Sequence, residues 1–265
     1  MALVVATWNV NSIRSRLDHV LTWLADHEPD VLCMQETKVE DELFPRAPFL
    51  ELGYQLSIHG GRALAGVATA TKAKPSACWL GFREGKADKQ ARVLEVVVDD
   101  VRIFNLYAPN GTQVGSEAYR YKLEWYARLR AQLGAQHRPD ESILVVGDFN
   151  VAPDARDVYD LEYFRGRLQF TEPEHRALAE LCDFSGHAGV GDGLHDCFRK
   201  HVADGGHYTW FDYRTGGFAK NEGMRIDLVL ATAPMLARNS STRIDHTPRK
   251  WDGPSDHVPV VATFD

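Results

Sequence analysis

Ser142-Ile-Leu-Val-Val-Gly-Asp-Phe-Asn150 decides the reading of this chain. Apolar residues 143–146 run unbroken into a glycine, then deliver a carboxylate and a carboxamide two positions apart. A short apolar run bounded by glycine reads as a buried strand. Side chains alternate along a strand, so Asp148 and Asn150 project to one side if the extended backbone persists that far. An anionic acceptor and an amide donor then face one ligand, which is equipment for metal or phosphate chemistry. Taken alone, Gly-Asp-Phe-Asn is also an ordinary turn sequence. Its meaning depends on companions elsewhere in the chain.

The same layout recurs: residues 4–9, 31–36 and 103–110 are apolar segments that end in Asn9, in Glu36, and in Tyr107 with Asn110. If those ends converge on one sheet edge, they make a site. Between them, Ile13, Leu17, Val20, Leu21 and Leu24 recur at helical spacing and predict a helix over 12–26, followed by a strand over 30–35. Strands are expected over 54–59 and 66–71, with Gly60-Gly61 as the break, and over 92–98 and 101–107. Asp99-Asp100 between the last two suggests a tight antiparallel hairpin. A second helix over 117–136 carries Leu123, Trp125, Tyr126, Leu129 and Leu133. Residues 151–206 read mostly as loop with a short helix near 174–182, and strands return over 207–213, 225–231 and 258–264. Many strands with helices at intervals, rather than strict alternation, favour packed sheets flanked by helices over a doubly wound parallel sheet.

The length of 265 residues fits one large domain, and no linker-like or single-charge block divides it. With 44% hydrophobic and 25% charged residues, general disorder is excluded. A net charge of −7 argues against coating nucleic acid by bulk electrostatics, although carboxylates gathered for a cation contribute to that balance. Cys33, Cys78, Cys182 and Cys197 lack the close pairs of zinc ribbons or redox motifs, so free thiols are expected. The apolar run 3–7 is too short for a membrane span and has no basic leader. A cytoplasmic, non-membrane protein is the expectation.

Glu36, in Gln-Glu-Thr-Lys, suits a hard divalent cation, which needs oxygen ligands and retains water. An isolated glutamate beside Lys38 also reads as a solvated ion pair. Ser255-Asp256-His257 places an acid and an imidazole before the last apolar run, and Asp227 in Gly-Met-Arg-Ile-Asp is the candidate partner that keeps the histidine charged. Alone, Ser-Asp-His is a turn or cap sequence. Tyr107 can donate to phosphate or to a leaving oxygen, or be a packed strand tyrosine. Asn9 and Asn11 can bind a metal-held water or orient Glu36, and are otherwise turn residues. Trp210 and Phe211 read as core aromatics or as walls of a pocket for an extruded or absent base. Arg14, Arg16, Arg92, Lys220, Arg225, Arg249 and Lys250 are available for phosphate contacts, each alone reading as a surface charge.

In this order, Ala6-Thr-Trp-Asn-Val-Asn, Gln-Glu-Thr-Lys, Tyr-Ala-Pro-Asn-Gly, Gly-Asp-Phe-Asn, Trp-Phe-Asp-Tyr-Arg, Gly-Met-Arg-Ile-Asp and Ser-Asp-His span nearly the whole chain. Together they closely resemble the exonuclease III family of apurinic/apyrimidinic endonucleases. The resemblance implies an α+β (α/β) fold of DNase I-like type over 1–265 as a single catalytic domain. That fold is a four-layer α/β/β/α sandwich, two packed, mostly antiparallel or mixed sheets flanked by helices, with the site at one sheet edge. It implies divalent-metal-dependent hydrolysis on the 5′ side of abasic sites in double-stranded DNA, leaving a 3′ hydroxyl, with 3′–5′ exonuclease and 3′-phosphodiesterase or phosphatase activity on 3′-blocked ends. The implied cofactor is Mg2+, with Mn2+ able to substitute, as one or two ions.

Residue by residue, the resemblance makes Glu36 the metal ligand, assisted by Asp256 and by Asn9 through water. Asp148 orients or deprotonates the attacking water, Asn150 positions it, His257 held by Asp227 stabilises phosphoryl charge, and Tyr107 contacts phosphate or leaving oxygen. Asp148, Asn150 and His257 are the candidate second cation site. Asn11, Asn110 and Arg92 are assigned to substrate binding, and Trp210, Met224 and Ile226 to the abasic pocket, Met224 standing where some members have tryptophan. The loop over 151–158, with Arg156, lies beside the site. Ser12 stands where the family often has glycine, and Asn11 where some relatives have aspartate. A monomer, nucleoid-associated when on DNA, is expected. The rivals are a general or RNA-directed phosphodiesterase of the wider superfamily and a catalytically inactive nucleic-acid-binding regulator.

Overall fold

The computed structural model describes residues 2–61, 65–83, 85, 87–88, 90–185 and 193–265. Among them, two six-stranded sheets form the centre. The first runs in the order β11 (Asn239–Ile244), β12 (Val260–Phe264), β1 (Leu3–Asn9), β2 (Val31–Gln35), β4 (Val67–Thr71), β3 (Gln55–His59). The second runs β5 (Ala77–Leu80), β6 (Val93–Val98), β7 (Val101–Tyr107), β8 (Ile143–Asp148), β10 (Asp227–Thr232), β9 (Leu194–Asp196). Each sheet has one parallel pair, β1 with β2 and β7 with β8, and is otherwise antiparallel. Helices α1 (Leu17–His27) and α2 (Arg46–Glu51) bury Val20, Trp23, Leu24 and Phe49 against the first sheet. Helices α3 (Glu117–Gln136) and α5 (Glu172–Cys182) cover the second. The short helices α4 (Leu161–Phe164), α6 (Cys197–His201), α7 (Gly217–Lys220) and α8 (Ala233–Arg238) lie in the connections. The four-layer sandwich expected from the sequence is the fold observed.

Period two explains why the central strands are continuous apolar runs. In β8, Leu144 and Val146 enter the core between the sheets, while Ile143 and Val145 enter the core beneath α3. In β1, Leu3 and Val5 face the other sheet, while Ala6 and Trp8 face α1. Both faces are covered, so apolar side chains fill both faces over most of these strands, and each fully buried large side chain contributes roughly 1.5–3 kcal/mol. The same parity sends the later residues of these strands, Asn9, Gln35, Asn105, Tyr107 and Asp148, toward the space between the sheets. There Gln35 Nε2 donates to Thr7 Oγ1 and to Asn105 Oδ1, both at 2.8 Å, joining the two sheets through a polar layer. The inter-sheet core thus changes from apolar to polar toward one end, and the site lies at that end.

The hairpin at Asp99-Asp100 is as expected: both residues have positive φ (48° and 62°), the geometry of a two-residue turn, and Val98 pairs with Val101. Helix α3 covers the predicted span, with Ser116 Oγ capping it by accepting from Tyr119 N. Helix α1 starts at Leu17 instead of Ser12 because Asn11 and Ser12 have φ of 44° and 89°. Ser12 N and Ile13 N there donate to Glu36 O and Thr37 O, so the predicted first turn is spent fastening this segment to the end of β2. Residues 207–213 are not a strand; Trp210 makes only isolated bridges to Met224 and His257. The sequence reading passed over β5, β9 and β11, short strands at or near sheet edges whose one-sided or polar composition gives no apolar run. All four cysteines are free. No helix among the described residues is long and apolar enough to cross a membrane.

Gly147 sets Asp148 in place. Its φ is +142°, and a Cβ built there would lie 2.0 Å from Leu106 O on the neighbouring parallel strand. Only glycine allows β7 and β8 this approach immediately before the catalytic-end carboxylate. Gly147→Ala is expected to cost about 4 kcal/mol or more, read as loss of soluble protein or a collapsed thermal melt. An unchanged melting temperature would refute this account.

Candidate active site

The parallel pairs bring their C-terminal ends to the same edge. Asn9 pairs in register with Gln35, Tyr107 with Asp148, and Asp227 at the start of β10 with Asp148 from the other side. Glu36 follows β2 with φ 51°, and Asn150 follows β8 with the same value; Asn11 (44°) and Lys38 (52°) are also left-handed. Such conformations are disfavoured for residues with a Cβ and cluster where side chains must be re-aimed. The expected parity of Asp148 and Asn150 therefore gives way to a turn. Asn150 N donates to Asp148 Oδ1 (2.8 Å) and its Nδ2 lies 3.2 Å from Asp148 Oδ2, so the two remain together by a different route.

Ligand atoms of Glu36, Asp148 and His257 lie within 4.8 Å of one another. Asp148 is 1% and His257 4% exposed, whereas Glu36 keeps access to solvent. Asn9 Nδ2 donates to Glu36 Oε1 and to Asp148 Oδ2, both at 2.9 Å, spanning the sheets at their ends. Its oxygen accepts from Asn11 N (3.0 Å), so Asn9 presents a donor to the carboxylates. The expected water-mediated metal contact does not match that orientation. Asp256 also stands apart from the expectation: it is outside the three-residue cluster, and its oxygens accept from Asn11 Nδ2 (2.8 Å) and Trp210 Nε1 (3.1 Å).

Asp227 Oδ2 holds His257 Nδ1 at 2.8 Å, and His257 Nε2 stands 3.9 Å from Asp148 Oδ2. Burial opposes the imidazolium, but the Asp227 and Asp148 carboxylates outweigh it and raise the His257 pKa. Burial pushes the Asp148 carboxyl up; His257 and the Asn9 hydrogen bond oppose this, and Asp227 and Glu36 reinforce it. Tyr107 is raised by burial, then by Glu36 and Asp148, so its hydroxyl stays protonated and donates.

Asn110, assigned above to substrate binding, has its Nδ2 3.1 Å from Asn150 Oδ1. Arg92 is corrected: it is 7% exposed, donates to Tyr107 O (3.0 Å) and Gln90 Oε1 (2.9 Å), and stacks 4.5 Å over the Tyr107 ring. It braces Tyr107. Arg225 is likewise no surface cation; it is 1% exposed and ion-paired to Asp157 and Asp196. Met224 and Ile226 are packed with Ala152, Val158, Phe164 and Phe170, and half-buried Trp210 lies against them. The three expected pocket residues are therefore together, while Phe211 is fully buried core. The ion pair read between Glu36 and Lys38 is present, Lys38 Nζ bridging Glu36 Oε2 (2.9 Å) and Asn11 Oδ1 (2.5 Å), while Gln169, whose Nε2 donates to Asn150 Oδ1 (2.6 Å), has no counterpart in the sequence reading. Gln169 lies in a segment without periodicity and gives no signal.

The pattern of the Endonuclease/Exonuclease/phosphatase family matches residues 6–257. The chain belongs to that family. Within it, the exodeoxyribonuclease III of Haemophilus influenzae is 32% identical over 270 residues, covering 97% of this chain and 98% of the relative. The fold superposes on the structure of an AP endonuclease from Archaeoglobus fulgidus with a TM-score of 0.93 and 37% identity over 99% of each chain. A 3′ phosphatase from Neisseria bound to a product DNA hairpin gives 0.92 and 34%, again over 99% of each. The resemblance to the exonuclease III group read from the motifs is borne out over the full length.

Proposed function

We propose that this chain is a DNA-repair nuclease that hydrolyses phosphodiesters at abasic sites and at 3′ ends of double-stranded DNA. The observation that carries the reading is the meeting of Glu36, Asp148 and the Asp227-held His257 at one end of the two sheets. Three relatives named for exonuclease, abasic-site and 3′-phosphatase activities match nearly end to end and support the substrate class.

Asp148 accepts the proton of the attacking water, since burial raises its basicity and Asn150 and Asn9 fix both of its oxygens. The water oxygen bonds to phosphorus as the bond to the 3′ oxygen breaks, leaving a 3′ hydroxyl and a 5′ phosphate. His257, held charged by Asp227, donates from Nε2 to a phosphoryl oxygen. Tyr107 keeps its proton and donates a hydrogen bond to phosphate or to the leaving oxygen, and solvent supplies the proton that completes the 3′ hydroxyl. Most of the rate then comes from alignment and charge neutralisation.

The donor set fits a hard divalent cation. Glu36, which keeps access to solvent, would supply a carboxylate oxygen, and Mg2+ asks for one or two of these beside substrate phosphate. A charged imidazolium is no ligand, so His257 fits the phosphate better than a second cation. When bound, Mg2+ or Mn2+ supplies Lewis-acid neutralisation of the phosphate. Lys38 Nζ lies 2.9 Å from Glu36 Oε2 beside that position. Glu36→Ala is expected to raise the Mg2+ concentration for half-maximal cleavage at least about tenfold, as loss of a direct ligand does; an unchanged titration excludes it as the ligand.

The chain is proposed to act as a cytoplasmic monomer. Cleavage rates on duplex DNA with one abasic analogue, intact duplex, RNA and inositol polyphosphate test the function. Preference for the abasic duplex is expected, and preference for RNA or inositol polyphosphate would overturn it.

A further inference from the structure

Beneath the catalytic turn lies an ion pair with no exposure at either end, Lys122 of α3 and Glu174 of α5. A buried pair of this kind is weak evidence for stability, because desolvating two charges offsets their attraction. Its contacts suggest a different use. Lys122 Nζ donates to Asn150 O (2.7 Å) and Asn110 O (3.2 Å) as well as to Glu174 Oε1. One ammonium therefore ties the turn after β8 to the turn after β7. These are the two turns whose side chains meet at Asn110 Nδ2 and Asn150 Oδ1, beside Asp148.

Glu174 in turn fixes the ammonium. Its Oε1 also accepts from Gln169 N (3.0 Å), and its Oε2 accepts from Thr171 N (3.0 Å) and Thr171 Oγ1 (2.7 Å) as the reciprocal cap of α5. Helix α3 adds two further bonds from the same face: Tyr126 donates to Phe149 O, and the Tyr119 hydroxyl meets Thr171 Oγ1 at 2.5 Å. The aliphatic stem of Lys122 passes so close to Gly111 that a Cβ there would lie 3.2 Å from Lys122 Cδ. Asn150 is held at φ 51° while its carbonyl points at the ammonium.

We propose that Lys122, anchored by Glu174, is a positioning residue for the reaction: it sets the Asn150 carboxamide against Asp148 and stays out of contact with the substrate. The inference rests on the nuclease reading above. The pair is replaced by neutral groups of similar length, Lys122→Met with Glu174→Gln, which removes both charges together and leaves an acceptor at the α5 cap.

The test measures kcat and KM on an abasic duplex with Mg2+, and the melting temperature, in the wild-type and Asn150→Ala backgrounds. The paired replacement is expected to melt within about 5 °C of wild type, with kcat lowered roughly tenfold or more and KM within about twofold. In the Asn150→Ala background the same replacement should cost less than about twofold, because the group it positions is gone. A folded double variant with kcat within twofold of wild type overturns the inference, as does an equal loss in both backgrounds. If the double variant melts below the assay temperature, the whole cycle is run at a lower temperature where it stays folded and is judged by the same outcomes. A wild-type protein that cleaves no DNA refutes the functional reading instead.

Discussion

Asp148→Asn is expected to lower turnover on an abasic duplex at least about a hundredfold, the usual loss when an aligning or proton-accepting group is neutralised. The substitution is nearly isosteric, and the neighbours decide its selectivity for activity over folding. Asn9 and Asn150 donate to the Asp148 oxygens, and an amide in its place keeps one acceptor. Burial most disfavours the ionised form of the Asp148 carboxyl, Asp227 and Glu36 add to this, and His257 opposes it without reversing the direction. Removing that charge relieves the burial penalty, so the melting temperature is expected to stay within about 3 °C of wild type or rise. Rates near wild type at saturating Mg2+ would remove Asp148 from the role of preparing the water. A large loss of stability would show that the charge supports the fold instead.

His257→Ala is expected to cost turnover by a similar factor of about one hundred or more, but with a different stability signature. Deleting the imidazole leaves Asp227, 1% exposed, without its partner at 2.8 Å. An unpaired buried carboxylate costs about 3–5 kcal/mol. Combining His257→Ala with Asp227→Asn removes the stranded charge, so most of the lost stability should return while activity stays low. Thermal melts and single-turnover rates on the four proteins of the cycle check this. If the double variant regains activity along with stability, His257 serves the fold and not the phosphate.

The sandwich was legible because the central strands carry apolar runs that both covered faces demand, and β8 is the clearest case. Leu144 and Val146 serve one core while Ile143 and Val145 serve the other, which leaves an unbroken run in the sequence. The edge strands β5, β9 and β11 escaped for the opposite reason: in β11 only Asn239 and Thr242 are buried, so its sequence carries no hydrophobic period. The acids of the site were legible because each follows or begins such a run. Their partners were less so. Arg92 and Arg225 read as surface cations, yet one braces Tyr107 and the other is buried against Asp157, contacts that arise only when distant segments meet. Asn150 illustrates the limit of period two, since its left-handed backbone keeps it on Asp148 through a turn.

Product analysis tests the central claim most directly: the protein is incubated with a duplex carrying one abasic site and with a duplex bearing a recessed 3′ end, with and without EDTA. The account predicts a metal-dependent nick on the 5′ side of the abasic site that leaves a 3′ hydroxyl, with removal of nucleotides or blocking groups from the 3′ end, all abolished by EDTA. Cleavage that persists in EDTA, or products carrying the phosphate on the 3′ side, would contradict it.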